Sequence, residues 1–366
     1  MAIRDLGPLS FDEFYAERIW GGRKLETVYG KPIPPSVPVG EAWLVSDHPQ
    51  HISTVRNGQE HVIGRTLREL LEEDARAILG SYAGLTVHGR FPLLLKILDT
   101  AEFLSVQVHP DDAAAVRLGE SDVGKSEMWH ILEAEPGSQL ICGLHPEVDE
   151  STLRTAIRLG TLGSSLVNLP VSSGTSVFVP AGTVHAIGPG ILLSEIQQNS
   201  DITYRIHDWD RVQSDGTPRT LHIEKSLGVV DYRSRHMGAA KPLAIRRNTA
   251  TTQILCACRY FAGERIELAG THLRETGGRS FRLLLGVAGE MWVSTGQGRQ
   301  NLRPGTAALI PGMHPHYEIS GTGTYLDYYV PDLANDILRP LREEGYGDAE
   351  IFRLGGDPST SDLSKC

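Results

Sequence analysis

The chain has 366 residues, with 35 Lys and Arg against 45 Asp and Glu for a formal net charge of −10. That length suits about two domains with cores large enough to need no disulfide or metal staple. The acidic balance excludes a general nucleic-acid or anionic-membrane binder, which needs a basic footprint, while two or three local cations can still hold one small anionic substrate.

The N-terminal MAIRDLGPLSFDEFYAERIWGG carries acids and no apolar run, so no secretory signal is expected. A helix is predicted over Thr66–Leu79, with capping-type residues at its start. The apolar run at Phe91–Leu98 is interrupted by Lys96 and is far too short to span a bilayer. Strands follow at LSVQVH (104–109) and EMWHIL (127–132). A short helical element is predicted near 149–160, opening on acids at Asp149 and closing at Gly160. Further strands are SVFVPAG (176–182), ILLSEIQ (191–197) and ITYRIHD (202–208). The stretch 232–250 is rich in Arg and Lys and poor in pattern. Beyond it, FRLLLGVAGEMWVS (281–294), TAALIPG (306–312) and TYLDYYV (324–330) read as a second strand series, then a helix over Asp332–Glu344 and a polar tail, GGDPSTSDLSKC, expected to be disordered. Short strands with Gly-rich corners, in a chain with 39 Gly and 21 Pro, predict a mainly β protein of two jelly-roll barrels with a few short helices. The expected division is 1–240, 241–332, and 333–366 as C-terminal helix and tail. Cys142, Cys256, Cys258 and Cys366 lack CxxC spacing; Cys256 and Cys258 are expected to be reduced core residues, which places the protein in the cytoplasm.

The chemistry concentrates in the first region. On a strand, Ser105, Gln107 and His109 share one face, and so do Lys125, Glu127 and Trp129 eighteen residues on. The corner VPAGTVHAIGPG then presents His185 through a Pro-x-Gly-x-x-His arrangement. Two His, one Glu and one Gln from separate strands make a site for a divalent ion with positions left open for water or substrate. His130 faces away from Glu127 and His145 sits in a turn; both read as structural. In the second region His314 and His316 flank a proline without a matching Glu, so no second metal is expected, and its role is packing, lid or dimer surface.

The segments IWGGRKL (Ile19–Leu25), GEAWLVSDH (Gly40–His48), FPLLLKILDTAEFLSVQVHPDD (Phe91–Asp112), GKSEMWHIL (Gly124–Leu132) and VPAGTVHAIGPGILLSEIQQNSDITYRIHDWDR (Val179–Arg211) resemble the type I mannose-6-phosphate isomerases. The likeness is to their short bacterial form, because only 57 residues separate Glu127 from His185, too few for the long members' helical insertion. The resemblance implies cupin barrels, the second of them metal-free, and interconversion of mannose 6-phosphate and fructose 6-phosphate with one zinc ion per chain. Gln107, His109, Glu127 and His185 would be the zinc ligands and Arg205 the catalytic arginine. Ser105, Lys125 and Arg211 would hold the phosphate of a small sugar-phosphate substrate. The proton at carbon needs a base: Glu195 alternates with Leu193 and Gln197, so it can face the same cavity, with His48, Lys96, Asp201 and metal-bound water as alternatives. A monomer or homodimer, with no nucleic acid and no membrane, is expected. The rival readings are a cupin isomerase for another sugar phosphate such as glucose 6-phosphate, a non-haem iron oxygenase, and a non-catalytic sugar-phosphate sensor.

Overall fold

The computed structural model describes residues 6–86, 88–213, 215–233, 238–247 and 249–366. Within the patternless stretch 232–250, residues 234–237 and 248 lie outside that description. The polypeptide divides into two compact units: a site unit of residues 15–42 and 97–240, and a companion unit of residues up to 14, 43–96 and 241–366. The division differs from the sequential one expected, because residues 43–96 group with the C-terminal third. Backbone pairing within the companion unit explains this. Leu9 and Leu309 exchange two hydrogen bonds (2.9 and 2.8 Å), Gly312 N–H donates to Ile78 O (2.7 Å), and Ser81 N–H donates to Gly278 O (3.0 Å). No composition signal announces such long-range pairs.

In the site unit, strands are numbered along the chain: β1 (Phe14–Gly22), β2 (Val39–Val45), β3 (Leu93–Thr100), β4 (Val106–Val108), β5 (Glu127–Ala134), β6 (Gln139–Leu144), β7 (Leu166–Pro170), β8 (Ser176–Val179), β9 (His185–Ile187), β10 (Ile191–Gln198) and β11 (Tyr204–His207). One antiparallel sheet runs β7-β6-β9-β4-β11. The other runs β8-β5-β10 and continues through the unit's portions of β3, β1 and β2.

Period-two alternation decides what each face of the first sheet carries. Val106, Val108, Ile141, Val184, Ala186, Tyr204 and Ile206 point to one side, where they pack with Leu153 of the helix Glu150–Leu159 and with Leu227 and Val230. That helix has the predicted ends: Asp149 accepts from Thr152 N–H (2.7 Å), and Gly160 closes it at φ 68°. The alternate residues, Leu140, Cys142 and Ile187, point inward and form a second core with Trp129, Ile131, Val177, Val179 and Leu193 of the opposite sheet. Gln107, His185 and Arg205 fall on this inward register.

The companion unit is built on one curled sheet: β12 (Leu243–Arg247), β13 (Ala250–Ala257), β14 (Ala262–Glu275), β15 (Arg282–Thr295), β16 (Gly298–Leu302), β17 (Ala307–Ile310) and β18 (His316–Tyr329). Its order is β12-β13-β14-β18-β15-β16, with β17 on β15. The 14-residue strands β14 and β18 pair along their whole length, yet Tyr317 donates to Asp327 (2.9 Å) and Arg274 to Glu264 (2.6 Å), each partner ten residues away on the same strand. The ribbon must therefore fold over itself. It does so where Gly270 (φ 116°) faces Gly321 (φ 131°), a conformation closed to most side chains; a Cβ on Gly321 would sit 2.4 Å from Glu290 O.

The predicted helix over 66–79 forms as Leu67–Leu79, with a capping box between Thr66 and Glu69. The helix predicted over 332–344 forms as a π-helical turn, Leu333–Leu338, leading into Arg339–Glu343. The C-terminal tail corrects its expectation: it is ordered into short turns, and Leu363, fully buried, packs with Ile351, Leu354 and Ile337. One apolar residue in a polar dozen suffices to anchor it. Cys256 and Cys258 are buried and unpaired, as expected. Among the described residues no helix is long and apolar enough to cross a membrane.

Candidate metal centre

Two rows of paired residues aim side chains into the site unit's interior. In the first sheet Cys142 faces His185, His185 faces Gln107, and Gln107 faces Arg205 across four adjacent strands. In the second, Glu127 lies between Val179 and Gln197, and Trp129 between Val177 and Glu195. The rows meet at Trp129 and His185, whose rings stand edge to face at 5.5 Å.

His109, Glu127 and His185, all about 1% exposed, bring ligand atoms within 4.8 Å of one another. His185 Nε2 lies 3.4 Å from Glu127 Oε1, and His109 Nε2 lies 3.6 Å from Glu127 Oε2. Both imidazoles are fixed from behind, His109 Nδ1 on Ile202 O (2.7 Å) and His185 Nδ1 on Thr183 O (2.8 Å). A carbonyl only accepts, so each Nδ1 carries the proton and each Nε2 presents a lone pair to the centre, the tautomer a metal requires. Burial lowers the His185 pKa to about 4, with the nearby Lys125 charge adding to the effect against the Thr183 carbonyl, so the ring is neutral at pH 7. Buried Glu127 Oε2 accepts no well-aligned hydrogen bond.

Gln107 Nε2 is 3.3 Å from His185 Nε2, and Gln107 Oε1 accepts from Ser105 Oγ (3.1 Å). Rotating the amide by 180° would present the oxygen to the centre, and the Ser105 hydroxyl can switch from donor to acceptor to suit. Two imidazoles whose Nε2 atoms face one buried carboxylate, with an amide beside them, thus fit a divalent cation. Lys125 Nζ stands 3.1 Å from Glu127 Oε2 and 3.4 Å from His109 Nε2. Burial opposes its charge, but Glu127, Glu195 and Asp201 outweigh that and hold its pKa above the ordinary value.

Glu195 is buried in the same interior, where its Oε1 accepts from Trp129 Nε1 (3.0 Å). Sequence reasoning passed over Trp129 as a partner, although its phase with Glu127 signals an inward indole that must bond its N–H. Arg205 donates from Nη1 to Thr220 O (3.2 Å), and its buried Nε has no partner. Arg211 is turned elsewhere: its Nη1 donates to Phe103 O, and its Nε and Nη2 donate to Asp208 O and Oδ1 (3.2 and 2.7 Å). Of the alternative bases, Asp201 bears on Lys125 and Arg205 through its charge. Lys96 lies over the Trp43 ring at 4.6 Å and His48 stands edge-on to that ring, both in the companion unit. His130 bonds Ser176 Oγ (2.8 Å) behind the sheet, and His314 bonds Leu6 O (2.6 Å).

Taken together, fold and site define a cupin-type β protein with a buried His/Glu/His centre suited to a metal. Residues 9–129, which include Gln107, His109 and Glu127, match the family model "Phosphomannose isomerase type I, catalytic domain", and residues 250–330 match "Mannose-6-phosphate isomerase, cupin domain". The chain is 34% identical to the mannose-6-phosphate isomerase of Streptococcus mutans over 86% of its own length and 95% of that protein. It is 36% identical to mannose-6-phosphate isomerase ManA of Bacillus subtilis over 86% and 96%. The crystal structure of a Bacillus subtilis mannose 6-phosphate isomerase superposes with a TM-score of 0.80 at 33% identity, covering 88% of this chain and 99% of that one. The chain belongs to the type I phosphomannose isomerase family.

Proposed function

We propose that the chain interconverts mannose 6-phosphate and fructose 6-phosphate through an enediolate, as a cytoplasmic monomer or homodimer with one zinc ion held by Gln107, His109, Glu127 and His185. The observation that carries this reading is the buried centre itself: His109 and His185 with Glu127 and an adjacent amide, beside a buried carboxylate at Glu195 and an arginine at Arg205, in a chain of this family. A zinc ion bound there supplies Lewis acidity toward the sugar oxygens at C1 and C2.

The protein's own groups do the rest. Glu195, steadied by the Trp129 indole, takes the proton from one carbon and returns it to the next. Arg205, always charged, donates to the oxygen on which negative charge develops, from a strand position facing Gln107. Ser105 and Lys125 bind substrate oxygens beside Gln107 and Glu127. The low exposure of Lys125, Glu127 and Glu195 keeps water from competing with these donors and strengthens each interaction. The test is a coupled assay of fructose 6-phosphate formed from mannose 6-phosphate. Turnover should vanish with a chelator, return with zinc, and fall about 10²–10³-fold in Arg205→Ala. A zinc-loaded wild type that binds the sugar phosphate without converting it would overturn the proposal.

A further inference from the structure

The loop that follows β11 gathers positive charge that the reaction at C1 and C2 does not use. Asp208, 5% exposed, serves two arginines at once. It accepts Arg211 Nη2 (2.7 Å) on Oδ1, and Arg219 through Nη2 on Oδ1 and Nε on Oδ2 (2.8 Å). Arg211 engages all three of its nitrogens with these and main-chain partners, with the exposed Glu102 carboxylate 3.7 Å away at the rim. Arg219 differs in that only Nε and Nη2 are engaged, both on Asp208.

Its position is set by the main chain. Arg205 N–H donates to His222 Nδ1 (3.2 Å), His222 N–H donates to Arg205 O (2.8 Å), and Arg205 Nη1 reaches Thr220 O (3.2 Å). Residues 219–222 therefore run alongside Arg205, and the two guanidinium charges feel each other: burial and then Arg219 hold the Arg205 pKa below its ordinary value against Asp208 and Asp201. The buried Arg205 Nε has no hydrogen-bond partner. Two neighbouring arginines with open N–H groups, only one of them hydrogen-bonded to the buried acid Asp208, call for a further anion.

We infer that Arg219 grips the phosphate of the substrate, with Asp208 as the strut that holds its fork in place and Arg211 as a brace. The inference rests on the sugar-phosphate reading above. The order along the sheet is Gln107 at the centre, Arg205 one strand out, and Arg219 beside it. A hexose 6-phosphate fits that order, with its reacting carbons at the centre and its dianion at the outer end. The assignment moves the phosphate contact from Arg211, whose three nitrogens are each engaged, to Arg219.

The experiment is steady-state kinetics of the zinc-loaded enzyme and of Arg219→Gln and Arg219→Lys, with inorganic phosphate as competitive inhibitor and as ligand in thermal melts. Loss of one charged hydrogen-bond donor is expected to raise both KM for mannose 6-phosphate and the phosphate inhibition constant by about 10–100-fold in Arg219→Gln, with kcat within about threefold. Arg219→Lys should fall between, because an ammonium replaces the charge but not the fork, and it carries the test if Arg219→Gln does not fold. The melting shift given by phosphate should disappear in Arg219→Gln. An inhibition constant within about twofold of wild type in a folded variant, or a loss confined to kcat, would overturn the assignment. Arg219-dependent phosphate binding in a wild type that does not isomerise would keep this site and overturn the isomerase reading instead.

Discussion

Each unit buries a polar cluster, between two sheets in the site unit and inside one curled sheet in the companion unit, and the two clusters are finished in opposite ways. In the companion unit, Glu264, Arg274, Arg282 and Asp327 neutralise one another. Arg274 reaches both acids (2.6 and 3.1 Å), Tyr329 donates to Glu264 (2.7 Å), Tyr317 donates to Asp327 (2.9 Å), and the Arg282 guanidinium stacks 3.5 Å above the Tyr329 ring. In the site unit, the Nε2 atoms of His109 and His185 converge on the two oxygens of Glu127, with Lys125 at the edge. A buried network whose charges cancel is a structural element. One whose acceptors point at each other is built for a cation.

Glu127→Ala and His185→Ala should produce the largest effects, reducing bound divalent metal well below the wild-type content by elemental analysis and activity by at least about 10³-fold. Their unfolding in denaturant should change far less. In the companion unit the pattern reverses. Asp327→Ala leaves Arg282 buried without its acid and Arg274 with Glu264 alone, and should cost about 3–5 kcal/mol in urea unfolding, with metal content unchanged. Loss of metal in Asp327→Ala would erase the distinction between the two interiors.

A smaller effect follows from pH. In chelated protein the folded His185 pKa is about 4, below the ordinary 6.5. The unfolded chain therefore binds that proton more readily, and stability from this group is complete above about pH 6.5. It should decline as pH falls toward 4, by about 3 kcal/mol in all. Urea unfolding at pH 7, 5.5 and 4 measures it, and His185→Gln should flatten that part of the profile.

Much of the site was readable because its parts are local. Gln107 lies on a strand and His109 one residue past its end, Lys125, Glu127 and Trp129 repeat the same spacing, and the corner before His185 is a short motif. The arginine knot was not readable, since Asp208 chooses Arg219 through the path of a loop. Arg274 and Arg282 looked like ordinary strand charges; only the fold-over at Gly270 and Gly321 buries them. Leu363 was hidden by the polarity of its neighbours, and the grouping of residues 43–96 with the C-terminal third depends on main-chain pairs about 200 residues apart or more.

That grouping bears on how the chain is made. A ribosome that has passed residue 240 has delivered every segment of the site unit, but only the early pieces of the companion unit. Leu9 must wait for Leu309, and the helix end at Ile78 for Gly312. During synthesis the unit carrying the centre can therefore mature first, while apolar residues of the segment 43–96 remain exposed until the last strands emerge. In that interval they are the natural clients of chaperones.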